Sequence, residues 1–218
     1  MSDQVRLVLW RHGQTVWNVE RRFQGQSDIP LDDTGQLQAE RAARLLAALR
    51  PDMIVSSDLT RAASTAAPLA RLTGLEVTVD KDLRERHGGR WEGLTDAEIR
   101  AQYPEEYTRW APPDGESSGV VADRVAAALL RIAATLAESA LLDSAGAGGS
   151  GLAVVVSHGA ALRLGMSRVL RMPEDLFGVL GPLSNCSWSV LGLRGDGRRR
   201  LLEHNAGTLP EPILSDDR

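Results

Sequence analysis

Apolar positions fall into two kinds of run along this chain. Short continuous runs read as buried strands, and longer mixed runs read as helices. Residues 5–10, Val-Arg-Leu-Val-Leu-Trp, form the first strand-like run and stop at Arg11-His12-Gly13. A helix is expected from an N-cap at Thr34 to about residue 49, with Leu37, Leu45, Leu46 and Leu49 as its apolar positions; Pro51 ends it. Residues 53–55 predict a second strand, followed by Ser56-Ser57-Asp58. The next helix carries Arg61 and Ala62, reaches about residue 72 and closes at Thr73-Gly74. Residues 76–79 alternate like a strand.

The middle of the chain is less regular. Residues 90–93 read as a loop, and a short helix starts near Thr95 with Asp96 and Glu98 in its first turn. Pro112-Pro113-Asp114-Gly115 breaks the pattern. Residues 119–142 predict an alanine-rich helix, expected in an excursion that roofs a pocket. Residues 144–151 are Gly/Ala/Ser-rich and read as a flexible loop. Residues 152–156 are the most strand-like run of all, and His158-Gly159 follows. A helix to about residue 170, ended by Met172-Pro173, precedes a hairpin built from 187–193 and 201–204 around Gly195-Asp196-Gly197. The tail from 210 to 218 reads as loose. The expected organisation is one domain over 1–218, with a lid or inserted region at about 84–120 and a flexible loop at about 143–151.

Strand alternating with helix predicts an α/β fold: a three-layer α/β/α sandwich with a mostly parallel central sheet. Ligands in such sheets bind beyond the carboxyl ends of the strands. Three predicted strands end there in polar residues: Arg11-His12-Gly13, Ser56-Ser57-Asp58 leading to Arg61, and Ser157-His158-Gly159. Two histidines and two arginines therefore converge on one edge.

Composition narrows the chemistry. The 218 residues hold 25 Lys+Arg, of which only Lys81 is lysine, against 29 Asp+Glu. No lysine closes a glycine-rich nucleotide loop, and a Schiff base has a single candidate in a polar setting. The net charge of −4 argues against a nucleic-acid partner. No stretch reaches about 18 apolar residues and the N-terminus lacks a basic leader, so a soluble cytoplasmic protein without a membrane partner is expected. The lone Cys186 suits a reducing compartment and forms no internal disulfide or cysteine metal cluster.

Two guanidiniums and two imidazoles in an acidic protein make a pocket for phosphate. A neutral imidazole can attack phosphorus to give phosphohistidine. The equatorial oxygens need positive charge, which Arg11, Arg61 and His158 supply without a metal. A carboxyl whose proton is retained beside phosphate is needed for the leaving oxygen.

The segment Leu9-Trp10-Arg11-His12-Gly13-Gln14-Thr15 resembles the signature of the histidine phosphatase superfamily, also called phosphoglycerate-mutase-like. Asn18, Gln24-Gly25, Leu31 to Gly35, Ser56-Ser57-Asp58-Leu59-Thr60-Arg61-Ala62, Leu83-Arg84-Glu85, Trp91-Glu92-Gly93, Gly115-Glu116-Ser117 and Ser157-His158-Gly159 follow in the family's order, so the resemblance spans roughly 5–190. It implies His12 as nucleophile, Arg11, Arg61 and His158 as phosphoryl ligands, and Glu85 as acid and then base. It further implies Asn18, Gln24, Gly25, Gly159 and Arg84 in substrate binding. It implies no metal and no organic cofactor.

Residues 89–93 resemble the phosphatase branch, and the chain lacks the longer insertion of the mutases. The resemblance therefore implies hydrolysis of a small phosphorylated metabolite by a histidine acid-type phosphatase, and a homodimer is expected. The closest pattern is that of enzymes acting on a phosphorylated glycerate or sugar such as glucosyl-3-phosphoglycerate. One of Arg21, Arg22, Arg84 or Arg86 is then expected to meet the glycerate carboxylate. The alternatives are a broad-specificity phosphatase, a cofactor-dependent phosphoglycerate mutase and, last, a non-catalytic binding module. Plainer readings stand beside these: solvated Arg84, Arg86, Arg90 and 198–200, a rim position for His87, a structural hydrogen bond for His204, packing for Trp91 and Trp188, a helix cap for Asp58 and an inert core thiol for Cys186.

Overall fold

The computed structural model describes residues 5–143 and 151–207. Of the flexible loop expected at 144–151, residues 144–150 fall outside the described residues, as does the loose tail, while Gly151 opens a strand. Strand β1 (Val5–Arg11) lies at the middle of a six-stranded sheet. Its neighbour β4 (Gly151–Ser157) runs parallel to it. Beyond β4 come β2 (Met53–Ser56) and β3 (Val77–Val79), also parallel. On the other side β5 (Trp188–Leu193) is antiparallel to β1, and β6 (Arg199–Ala206) pairs antiparallel with β5. The strand order is β3-β2-β4-β1-β5-β6, mixed but mostly parallel.

The continuous apolar runs of β1 and β4 follow from burial on both faces. Leu7 and Leu9, with Ala153 and Val155, face one core. Val8 and Trp10, with Leu152, Val154 and Val156, face the other. The first core is completed by α6 (Ser118–Asp143) and α7 (Gly159–Val169), through Val121, Val125, Leu129, Leu136, Leu162 and Met166. Gly165 lets these helices approach: a Cβ there would lie 2.4 Å from Val125 Cγ1. The long helix is thus a structural layer of the sheet. It does not belong to the excursion expected from the break at Pro113, because its apolar stripe has nowhere else to be buried.

After the short helix α1 (Val16–Val19), the second core is covered by α2 (Asp33–Ala48) and α3 (Thr60–Thr73). The cap of α2 is Asp32, whose side chain accepts from the Gly35 N–H, and not Thr34. Leu37, Leu45 and Leu49 are exposed; the buried face is Gly35, Gln38, Ala39, Ala42, Ala43 and Leu46. Small residues let α2 press against α3 and the sheet, so the face with the largest side chains points outward. Asp58 does not cap α3 either. Asp28 does, accepting from both the backbone and the hydroxyl of Thr60 at 2.7 Å.

Between β3 and α6 the chain forms α4 (Asp96–Gln102) and α5 (Pro104–Arg109). Thr95 and Glu98 make a reciprocal cap at the start of α4. Trp91, fully buried, sits in an aromatic cluster with Phe23, Tyr107 and Trp110. His204 is held between Ser189 Oγ and Gly181 O, as its expected structural role requires. No described helix is long and apolar enough to cross a membrane.

Candidate active site

The site is built on strand register. Arg11 pairs with Ser157 across β1 and β4, and Ser56 pairs with Val156 across β2 and β4. Parallel strands put these carboxyl ends on one edge, so Arg11, His12, Ser57, Arg61 and His158 meet there. Arg11, His12, Arg61 and His158 are all buried. The two imidazole centroids lie 5.2 Å apart.

The hydrogen bonds assign both tautomers. His12 Nδ1 lies 2.7 Å from Gly13 O, a carbonyl that can only accept, so Nδ1 carries the proton. The lone pair is left on Nε2. His158 shows the opposite arrangement. Arg61 Nε donates to His158 Nδ1 at 3.2 Å, so the proton is on Nε2, which donates to Ser57 Oγ at 2.9 Å. Burial, reinforced by Arg61 and Arg11, holds His12 well below 6.5. Burial also lowers His158, with Arg61 and His12 contributing. Desolvation and nearby guanidiniums both disfavour imidazolium, and both rings are neutral.

Gly13 carries its own steric constraint. A Cβ there would sit 2.5 Å from Gly35 O, so the loop after β1 lies directly on the first turn of α2. Its N–H donates to Thr65 Oγ1 on α3. Gly25 adopts φ +52°, and its carbonyl accepts from Arg61 Nη2 at 2.7 Å. Arg61 Nη1 donates to Ser27 O at 2.8 Å, so these backbone carbonyls fix the guanidinium plane. Arg11 donates to Leu183 O.

Asn18 and Gln24 are clamped through their amide oxygens. Asn18 Oδ1 accepts from the Thr15 N–H, the Thr15 hydroxyl and Asn185 Nδ2, all at 3.1 Å. The same Thr15 hydroxyl lies 3.0 Å from Gln24 Oε1, so its single proton serves one of the two amide oxygens at a time. With its oxygen so engaged, Asn18 can present its NH2 to an anion. Asn185, which also donates to His12 O, was not singled out as a site residue by sequence reasoning.

Glu85 lies on the N-terminus of α7. Its carboxylate accepts from the Arg86, Ala160 and Ala161 N–H groups at 2.8, 3.1 and 2.8 Å. Three backbone donors suit a carboxylate better than a carboxylic acid. The Glu85 segment is held from behind by Arg124 on α6. Arg124 donates to the carbonyls of Asp82, Arg84 and Glu85 and pairs with both oxygens of Glu116 at 2.8 and 2.7 Å. Sequence spacing gave no signal for Arg124, which is 39 residues from Glu85.

Some expected substrate contacts are placed differently. Arg84 makes a two-point ion pair with Asp58 at 2.7 and 2.5 Å, which lowers the Asp58 carboxyl. Arg22 is tied to Glu20 and Gly93 O. Both described nitrogen contacts of His158 go to protein groups, so direct phosphoryl binding there requires an exchange of partner. Arg86 is 3% exposed rather than solvated, and it donates to the Glu116 and Trp110 carbonyls. Among the described residues no group of His, Cys, Asp and Glu is arranged to hold a metal ion.

A sheet edge carrying buried guanidiniums, a neutral histidine with a free Nε2 lone pair and a carboxylate on a helix N-terminus defines a phosphoryl-transfer site of the histidine class. A model of the histidine phosphatase superfamily (branch 1) matches residues 7–206, and the chain belongs to that family. Glucosyl-3-phosphoglycerate phosphatase of Mycolicibacterium vanbaalenii is 40% identical over 200 residues, covering 88% of this chain and 87% of that one. The Mycobacterium tuberculosis enzyme of the same name is 41% identical over 192 residues, covering 85% and 84%. The solved structure of mycobacterial glucosyl-3-phosphoglycerate phosphatase in complex with VO3 superposes with a TM-score of 0.82 at 38% identity, covering 93% of this chain and 99% of that one.

Proposed function

We propose that the protein hydrolyses phosphomonoesters through a phosphohistidine on His12 Nε2, with a phosphorylated glycerate or sugar such as glucosyl-3-phosphoglycerate as substrate. The observation that carries the mechanism is the bond from His12 Nδ1 to Gly13 O, which leaves Nε2 able to attack. Arg11 and Arg61 neutralise the phosphoryl oxygens, and the NH2 groups of Asn18 and Gln24 add donors. Attack breaks the bond between phosphorus and the leaving oxygen. Glu85 then gives that oxygen a proton, and in the second half it takes one from the attacking water. Its three backbone donors favour the ionised form, so the proton is taken up as the phosphate anion arrives beside it. The substrate class is supported by the two relatives of that name.

The same proposal takes 84–120 as the lid, since it carries Glu85 at one end and Trp110 near the other. It takes the enzyme as an acid-type histidine phosphatase of the cytoplasm, which a single cysteine, Cys186, suits. Homodimerisation belongs to the proposal and is checked by analytical ultracentrifugation. The decisive test is rapid quenching in alkaline SDS with 32P-labelled substrate. Label should remain on the wild-type protein in an acid-labile, base-stable bond and be absent from His12→Ala. Label retained by His12→Ala would remove His12 as nucleophile.

A further inference from the structure

A cavity of about 220 Å³ opens beside Glu85, and none of the phosphate ligands lines it. Ala160, whose N–H holds one Glu85 oxygen, is in its wall, as is Arg86, whose N–H holds the other. Glu85 serves the leaving oxygen in the proposed reaction, so whatever the phosphate is attached to must lie on this side. The cavity's chemistry is divided. Phe23, Trp110 and Phe177 form apolar walls, while the guanidiniums of Arg86 and Arg163 bring positive charge.

Arg163 is 8% exposed and lies one turn after Ala160 on the same face of α7. Ser118 and Gly119, at the start of the 26-residue α6, add the positive end of a long helix to the same wall. Glu174, the acidic group at the rim, is paired with Arg168 at 2.6 Å. Two buried guanidiniums and a helix N-terminus suit a carboxylate, and the aromatic walls suit the carbon skeleton or sugar face beside it.

We infer that this cavity is the leaving-group subsite, and that Arg163 is the residue selecting substrates that bear a carboxylate next to the phosphate. This assignment rests on the phosphatase reading above and deepens it. It also moves the expected carboxylate contact. Of the four arginines favoured from motif position, Arg22 and Arg84 are committed to acidic partners elsewhere, and only Arg86 borders the cavity.

The test compares kcat/KM for 3-phosphoglycerate and glycerol 3-phosphate, which differ in the carboxylate, in wild type, Arg163→Gln and Arg163→Lys. In wild type the carboxylated ester should be preferred. Arg163→Gln should reduce that preference by about 10- to 150-fold, the worth of one charged hydrogen bond, chiefly through KM, and Arg163→Lys should recover part of it. An unchanged ratio in Arg163→Gln would overturn the assignment.

A second measurement is independent of whether the variants fold. Glycerate should bind to wild type whose phosphate pocket is saturated with vanadate, and glycerol should not; failure of glycerate to bind would also overturn the subsite. Failure of the phosphatase reading itself looks different, because wild type would then release no phosphate from either ester.

Discussion

One hydrogen bond at His12 decides which nitrogen can react, and burial decides that the ring is neutral. The same burial makes a stability prediction. His12 and His158 both lie well below 6.5 in the folded protein, whereas in the unfolded chain each titrates near 6.5. Between the two values the unfolded chain binds more protons, so stability rises with pH across that window. The contribution is intact above about 6.5 and is lost as pH falls toward the folded values. Thermal unfolding followed from about pH 7.5 to 5 should show a falling Tm, with a shallower slope in His158→Gln. Equal slopes would mean that His158 titrates alike in both states.

Among the elements, α6 and α7 hold the Glu85 carboxylate, the proposed acid and base, although neither contains it. The first turn of α7 holds Glu85 by its oxygens, and Arg124 of α6 holds the same segment by its carbonyls. Arg124→Met leaves three carbonyls and the half-buried Glu116 without this donor. Each unsatisfied group costs about 1–3 kcal/mol, so a clear drop in Tm is expected. Displacement of Glu85 by even a fraction of an ångström should lower kcat by roughly 10- to 100-fold. KM for p-nitrophenyl phosphate should move much less, since Arg11 and Arg61 are held by other elements. A variant that loses only KM would contradict Arg124 as the positioning residue for Glu85.

Across the whole molecule, the proposed phosphate pocket joins β1, β2, β4, α3 and the loop at Gly25, so an anion bound there would tie the sheet to α3 and that loop. A ligand that binds only the folded state stabilises it by about 2.7 kcal/mol at a hundredfold excess over Kd. For a chain of this size that corresponds to a rise in Tm of roughly 5–10 °C with saturating vanadate. The rise should be much smaller in Arg61→Ala, which removes the guanidinium shared by the Gly25 and Ser27 carbonyls and His158. An equal rise in that variant would place the anion elsewhere.

The sequence by itself determined the strands, the α/β class and the meeting of polar residues from three strand ends on one edge. Burial on both faces writes a continuous apolar run, and a parallel sheet forces such runs to end on one edge. Hence Arg11, His12, Arg61 and His158 were legible before any coordinates. Local pattern failed where burial depends on a neighbour. The alanine face of α2 is chosen by how closely α3 approaches, so the exposed Leu37, Leu45 and Leu49 misled. The partners of Glu85, the pairing of Arg84 with Asp58 and the place of Arg163 in the cavity wall lie tens of residues apart in the chain. Only tertiary structure decided them, because hydrogen bonds and ion pairs depend on distance in space, and no spacing rule carries that across separate helices.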